Sequence, residues 1–191
     1  MSENAAVVLM TSEEFFALPD VPDVRQRLFR GELREEPVTK RNPFHSRTTA
    51  IISHYLWAWT LTQPHPQGEV YDGEAYFRIR RNPDTNVGID VAYAAADLSA
   101  TMTAKTKYLD GPPLLAVEVL SPNDTVEEVT DTVAEYLACG VMLVWIVNPF
   151  AKVVAVHRPN VAAEFLDASG TLVGDPEMPG LRVRVRDVFR C

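Results

Sequence analysis

Leu114-Leu115-Ala116-Val117-Glu118-Val119-Leu120-Ser121-Pro122-Asn123-Asp124 reads as a buried strand that carries one carboxylate and runs into a turn. Apart from Glu118, the residues from Leu114 to Val119 are Leu, Ala or Val, the composition of a strand covered on both faces. An ionised glutamate there is costly unless something pairs with it, so Glu118 marks a candidate site. Ser121 to Asp124 is turn chemistry, with Asn123 or Asp124 placed to cap the following helix. That helix runs from about Thr125 to Ala138, with Val126, Val129, Val133 and Leu137 as its apolar stripe, and ends at Gly140. Val141-Met142-Leu143-Val144-Trp145-Ile146-Val147 is a second apolar strand, closed by Asn148-Pro149. Strand, helix and strand in this order predict a β–α–β unit with two central parallel strands, and the fold class is α/β.

Upstream, Gly88-Ile89-Asp90-Val91-Ala92-Tyr93 is another apolar strand with a single acid. Two acids on neighbouring buried strands suggest a divalent metal site. Strands are also expected near Glu69–Tyr71 and Ala75–Arg80. In the latter, Phe77 and Ile79 alternate with Arg78 and Arg80, which predicts a half-exposed strand whose arginines meet phosphates or solvent. An amphipathic helix is expected from Phe44 or His45 to about Thr60, with Ile51, Ile52, Tyr55, Leu56 and Trp59 inward. Arg27 to Glu36 reads as a hairpin turning near Gly31. Thr11, with Glu14 three residues on, starts a short helix that Pro19 and Pro22 end. Downstream, strands are expected near Lys152–His157 and Ala162–Leu166. Leu181 to Arg186 alternates strictly, and its arginines read as a solvent face. Trp57, Trp59 and Trp145 have the spacing of core residues.

The chain of 191 residues is long enough for one domain with a real core, spanning 1–191, with residues 1–10 expected to be loosely ordered. A net charge of −8 and a pI near 5.0 give no overall electrostatic footprint of a nucleic-acid binder. Such binding needs a locally basic surface, or metal ions to offset the carboxylates. Cys139 and Cys191 make neither a disulfide framework nor a zinc site. Residues Met1 to Met10 contain Glu3 and no basic residue, unlike a secretory leader, and no apolar run is long enough to cross a membrane. A reduced, cytoplasmic setting is the default expectation.

Five short pieces in order carry a resemblance. They are Gly31-Glu32-Leu33, Gly88-Ile89-Asp90-Val91-Ala92, Ala116 to Pro122, Glu135-Tyr136-Leu137-Ala138-Cys139-Gly140-Val141, and Val144 to Pro149. Together they resemble the Uma2 group of restriction-endonuclease-like proteins, within the PD-(D/E)XK nuclease superfamily. The resemblance covers nearly the whole chain. It implies a restriction-endonuclease-like core, a mixed β-sheet flanked by helices, with the acids at the sheet's edge. It implies a DNA endonuclease using Mg²⁺ or Mn²⁺, which prefers carboxylate and carbonyl oxygens and keeps several waters. By the family pattern Asp90 and Glu118 are metal ligands, the Val119 carbonyl a third, and Glu32 an additional acid. His45 matches a histidine common in the family. DNA is the implied partner, with Arg78, Arg80, Lys105 and Lys107 as candidate phosphate contacts; a homodimer is also compatible.

The sequence departs from this pattern at one place. The superfamily's lysine, two residues after the second acid, is Leu120 here, and the position to which the Uma2 group moves it is Thr132. No Lys or Arg stands between Ser121 and Ala138, while Glu127, Glu128, Asp131 and Glu135 are acidic. The usual cation that stabilises developing charge is therefore missing, and the resemblance implies weakened or absent native catalysis unless Lys105, Lys107 or Lys152 reaches in. Two other functions fit the missing lysine and the acidic charge. One is a catalytically inactive nuclease-fold binding protein; the other is a metal-dependent hydrolase of a small substrate.

Overall fold

A computed structural model of the chain describes residues 9–37 and 42–190. Residues 1–8 of the segment expected to be loose lie outside these, as does Cys191; Met10 donates its N–H to the Gly31 carbonyl at 2.8 Å. The elements are α1 Ser12–Phe15, β1 Val24–Phe29, β2 Glu32–Pro37, α2 Pro43–Thr60, β3 Glu69–Arg80, β4 Thr85–Ala94, α3 Ala96–Ser99 and β5 Leu115–Val119. They continue with α4 Val126–Ala138, β6 Leu143–Asn148, β7 Val153–His157, β8 Glu164–Leu166, β9 Thr171–Val173, β10 Arg182–Arg184 and α5 Val185–Val188. Strands β2-β1-β4-β5-β6-β7-β8 follow one another across a mixed sheet, β3 pairs with β4 as its eighth strand, and β9 and β10 form a separate ribbon.

The β–α–β unit is present. β5 and β6 run parallel, with Leu115 beside Leu143 and Val119 beside Val147, in the middle of the sheet. Their apolar runs fit strands covered on both faces. On one face Ile52 and Leu56 of α2 pack with Val91, Val117, Trp145 and the C-terminal residues Val183, Val185 and Val188. On the other, Val133 and Tyr136 of α4 pack with Phe77, Ile89, Ala116 and Ile146. The cap of α4 is Thr125, whose side chain and that of Glu128 satisfy each other's backbone N–H groups. Asp124, expected in that role, instead accepts the Ser121 N–H at 2.8 Å.

Two expectations about exposure are corrected. Trp57 is 56% exposed on α2, while Trp145 is fully buried. Arg78 is 8% exposed rather than on an open strand face. The two short strands expected around Tyr71 and Phe77 are one strand, β3, interrupted by a bulge. Pairing with β4 shifts between Asp72↔Val91 and Ala75↔Ile89, so Gly73 and Glu74 stand opposite Asp90 alone. Both take positive φ, 73° and 66°. A bulge re-aims the side chains around it. Accordingly Val87 and Ile89 of β4 pack on the α4 side, whereas Val91 and Tyr93 pack on the α2 side. The face of β4 changes at Asp90.

Candidate active site

One edge of β4 pairs with β3 along its length. The other edge is shared: β5 takes Val91, Ala92 and Tyr93, and β1 takes Asn86. Between these contacts β1 and β5 part, and the backbone groups there are met by side chains. Arg25 of β1 donates to the Gly88 carbonyl at 3.2 Å. Asp90 accepts the Val119 N–H at 2.8 Å on Oδ2. The N–H and C=O of one strand residue share an edge, so the Val119 carbonyl faces the same gap.

Asp90 and Glu118 stand one step beyond the paired Val91 and Val117. Asp90 leans towards α2, where His45 Nε2 lies 3.1 Å from its Oδ2, and lines a recess with His45, Thr49, Asp72 and Glu74. Glu118 leans towards α4, where the Tyr136 hydroxyl donates to its Oε1 at 2.5 Å. It lines a second recess with Arg25, Arg27, Glu36, Thr132 and Tyr136. The two carboxylates therefore straddle the sheet at the gap. Asp90 Oδ1 and Glu118 Oε2 accept no hydrogen bond among the described residues.

The electrostatics follow from this crowding. Burial, and then the nearby Asp90 charge, push the Glu118 carboxyl up to about 8; Arg25, the Tyr136 hydroxyl and Arg27 oppose the rise. The bond to Glu118 and burial hold the Tyr136 phenol far above its ordinary range, burial being the larger cause. Burial works against the Arg25 charge, but Glu118, Glu74 and Asp90 outweigh it and raise its pKa, so Arg25 is a fixed cation.

A family profile described as "Uma2: Putative restriction endonuclease" matches residues 12–186. The chain belongs to the Uma2 family. Its fold is also that of a crystal structure titled a "putative nuclease belonging to DUF820", from Anabaena variabilis ATCC 29413. The TM-score is 0.74 at 18% identity, covering 94% of this chain and 97% of that one. No curated protein matches.

Against the Uma2 pattern, the structure brings some expected residues together and separates others. Asp90 and Val119 are hydrogen-bonded at the gap, while Glu118 and Thr132 line the α4-side recess. Glu32, at the turn end of the hairpin, lies elsewhere, in a recess with Arg30, Arg34 and Asp131. The acid of β2 that reaches the Glu118 recess is Glu36, ion-paired with Arg27. Arg78 is engaged inside the protein, bidentate to Asp110 at 2.9 and 2.7 Å and 3.1 Å from Glu13. Arg80 binds the buried Glu135 at 2.7 Å. These ion pairs leave neither arginine free for a phosphate. Lys107 donates to the Phe16 carbonyl at 3.0 Å, and neither it nor the exposed Lys105 lines either recess. Lys152 sits in a third recess, beside Phe44 and Arg47.

The cations at Glu118 are Arg25 and Arg27, which the sequence reading passed over. Their signal is the alternation Arg25-Gln26-Arg27, which sends both arginines to one side of β1. It looks like an ordinary exposed strand until β1 is known to lie beside the gap.

In type the oxygen donors suit a hard divalent cation, although Asp90 and Glu118 lean to opposite sides of the gap and line separate recesses. Two carboxylates and a carbonyl suit Mg²⁺ or Mn²⁺, which keep several waters of their own. The repulsion that helps hold Glu118 protonated is what such a cation would relieve. Among the described residues, no three His, Cys, Asp or Glu side chains gather into a larger metal cluster. No helix among them is long and apolar enough to cross a membrane.

Proposed function

We propose that this protein is a metal-dependent endonuclease that hydrolyses phosphodiester bonds in DNA. The observation that carries the reading is the pair Asp90 and Glu118 at the split edge of β4, with a fixed cation, Arg25, beside them. Asp90, Glu118 and the Val119 carbonyl would hold Mg²⁺ or Mn²⁺, which would supply a lowered water pKa and charge neutralisation on the phosphate. The chain's own residues do the rest. His45 and the Val119 N–H fix Asp90 through its Oδ2, leaving Oδ1 to the site. The Tyr136 hydroxyl fixes Glu118 in the same way through Oε1. Thr132 offers a hydroxyl to orient a water, and Arg25 supplies the positive charge that α4 lacks. The whole chain, 1–191, acts as one nuclease domain in this reading.

The test is plasmid nicking with Mg²⁺ or Mn²⁺ by native protein, Asp90→Ala and Glu118→Gln, with Mn²⁺ binding measured calorimetrically on the same samples. Nicking by the native protein alone, with Mn²⁺ binding weakened in both variants, supports the proposal. Mn²⁺ binding without nicking favours a hydrolase of a small substrate or an inactive binding protein, for which Thr132 in the lysine position is the motive. A native protein that neither binds Mn²⁺ nor nicks overturns the metal site.

A further inference from the structure

The first turns of α2 carry two different faces. His45 and Thr49 line the Asp90 recess. Phe44, Arg47 and Thr48 line another, completed by Pro149 and Lys152 from the turn after β6 and by Phe189 and Arg190. In this second place two large aromatic rings stand out from the surface, Phe44 at 54% and Phe150 at 49% exposure. Their centroids are 6.1 Å apart, with the planes tilted by 59°. Arg47 and Lys152 are exposed around them, as is Arg190, which pairs with Asp187 at 3.3 Å. In a chain of net charge −8, Arg47 and Lys152 beside two exposed rings form a local departure from the whole.

The position is as informative as the composition. β5 and β6 are parallel, and Val119 pairs with Val147 at their carboxyl ends. The turn carrying Phe150 and Lys152 leaves the end of β6, while Glu118 and Val119 close β5. Phe44 and Arg47 flank His45, which reaches Asp90. The patch therefore lies at the end of the sheet that holds the acids. A phosphate approaching them meets carboxylates first and needs cations close by.

We infer that this patch holds the nucleic-acid strand beside the site: phosphates on Arg47 and Lys152, and an unstacked base against Phe44 and Phe150. The occupant is single-stranded or locally opened nucleic acid, because rings capture bases only when those are free of their own stack. The charge of the patch complements phosphate, whereas an acidic or apolar protein partner is the competing occupant. This inference rests on the nuclease reading and replaces Arg78, Arg80, Lys105 and Lys107 as the contact surface.

The experiment is fluorescence anisotropy of a labelled single-stranded DNA oligonucleotide in EDTA, which prevents cleavage. Samples are native protein, Arg47→Glu/Lys152→Glu, Phe44→Ala/Phe150→Ala, and Lys105→Glu/Lys107→Glu, each checked for an unchanged thermal melt. The two patch variants are expected to bind about 10-fold or more weakly. In the charge variant the salt slope, log K against log salt, should fall by about 1.4 for two lost phosphate contacts. The Lys105/Lys107 variant should bind as native does. Native binding retained by either patch variant, or lost only in the Lys105/Lys107 variant, overturns the inference and leaves the nuclease reading standing. Failure of native protein to bind DNA at all, in EDTA or with Ca²⁺, overturns both.

Discussion

In the proposed nuclease, Arg25 takes the place of the helix lysine. Its charge arrives from β1 and meets Glu118 across the gap, in the recess that Thr132 also lines. Removing a positioned charge of this kind typically costs about 10²–10³-fold in rate, so Arg25→Ala should reduce nicking by about that factor. Thr132→Lys should change native nicking little, because the charge is already present, but should restore part of it in the Arg25→Ala background. A side-by-side nicking assay of the four proteins checks this; a large gain from Thr132→Lys with Arg25 intact would show that Arg25 does not fill the role. Glu118 makes a second prediction, about pH. Its folded pKa of about 8 lies above the ordinary value of 4.5, so the folded state holds the proton more tightly than the unfolded chain. Any contribution from this group is therefore complete below about pH 4.5 and lost progressively as pH rises to about 8. The groups facing it are Asp90, Arg25, Arg27, Asp124 and Tyr136. Metal-free protein in EDTA should lose thermal stability between pH 5 and 8.5, and Glu118→Gln should flatten that slope. Equal slopes would contradict the assignment.

At the level of elements, α4 is tied to the sheet by a carboxylate that stands outside the two recesses of the site. Glu135 is fully buried and takes Arg30 at 2.8 Å, Arg80 at 2.7 Å and the Thr85 hydroxyl at 2.9 Å. Its two arginines reach solvent, at 57% and 33% side-chain exposure, so what truncation removes is a set of charge-assisted hydrogen bonds, about 1.5–3 kcal/mol. Glu135→Ala should therefore lower unfolding free energy by about that amount in urea titration, far more than Glu127→Ala on the exposed side of the same helix. The strands and helix around Glu118 were legible because long apolar runs, a turn and a helical stripe each carry a strong periodic signal. Arg80 was misread because alternation along a strand shows which residues share a face and not whether another element covers that face. Here α4 covers it and brings Glu135. The bulge in β3 was equally hidden: Gly73-Glu74 looks like a break between two strands, and its effect on Asp90 exists only once β4 is paired beside it.

Across the whole molecule, the acids come from the central sheet and the cation from a hairpin near its edge. The sequence displayed the acids, since a lone carboxylate in an apolar strand stands out, but gave Arg25 no such contrast. What joins the two parts is little strand pairing and a set of tethers: Gly31 donates to the Asp84 carbonyl, Arg30 to the Thr85 hydroxyl and Glu135, Arg25 to the Gly88 carbonyl, and the Tyr76 hydroxyl to the Gln26 carbonyl. β1 pairs with β2 over six residues, and with β4 only where Leu28 meets Asn86. With so little strand pairing to β4, the hairpin is expected to open at a lower free energy than the β5–β6 centre. Native-state hydrogen exchange should show it: amides of β1 and β2 should exchange with a lower opening free energy than those of Ala116, Val117, Val144 and Trp145. Uniform protection across both groups would contradict this. Any such opening would carry Arg25 away and leave the acids in place, a disarmed form whose core is still folded. Temperature or mild denaturant should then silence cleavage well before the tryptophan fluorescence of the core reports any melting.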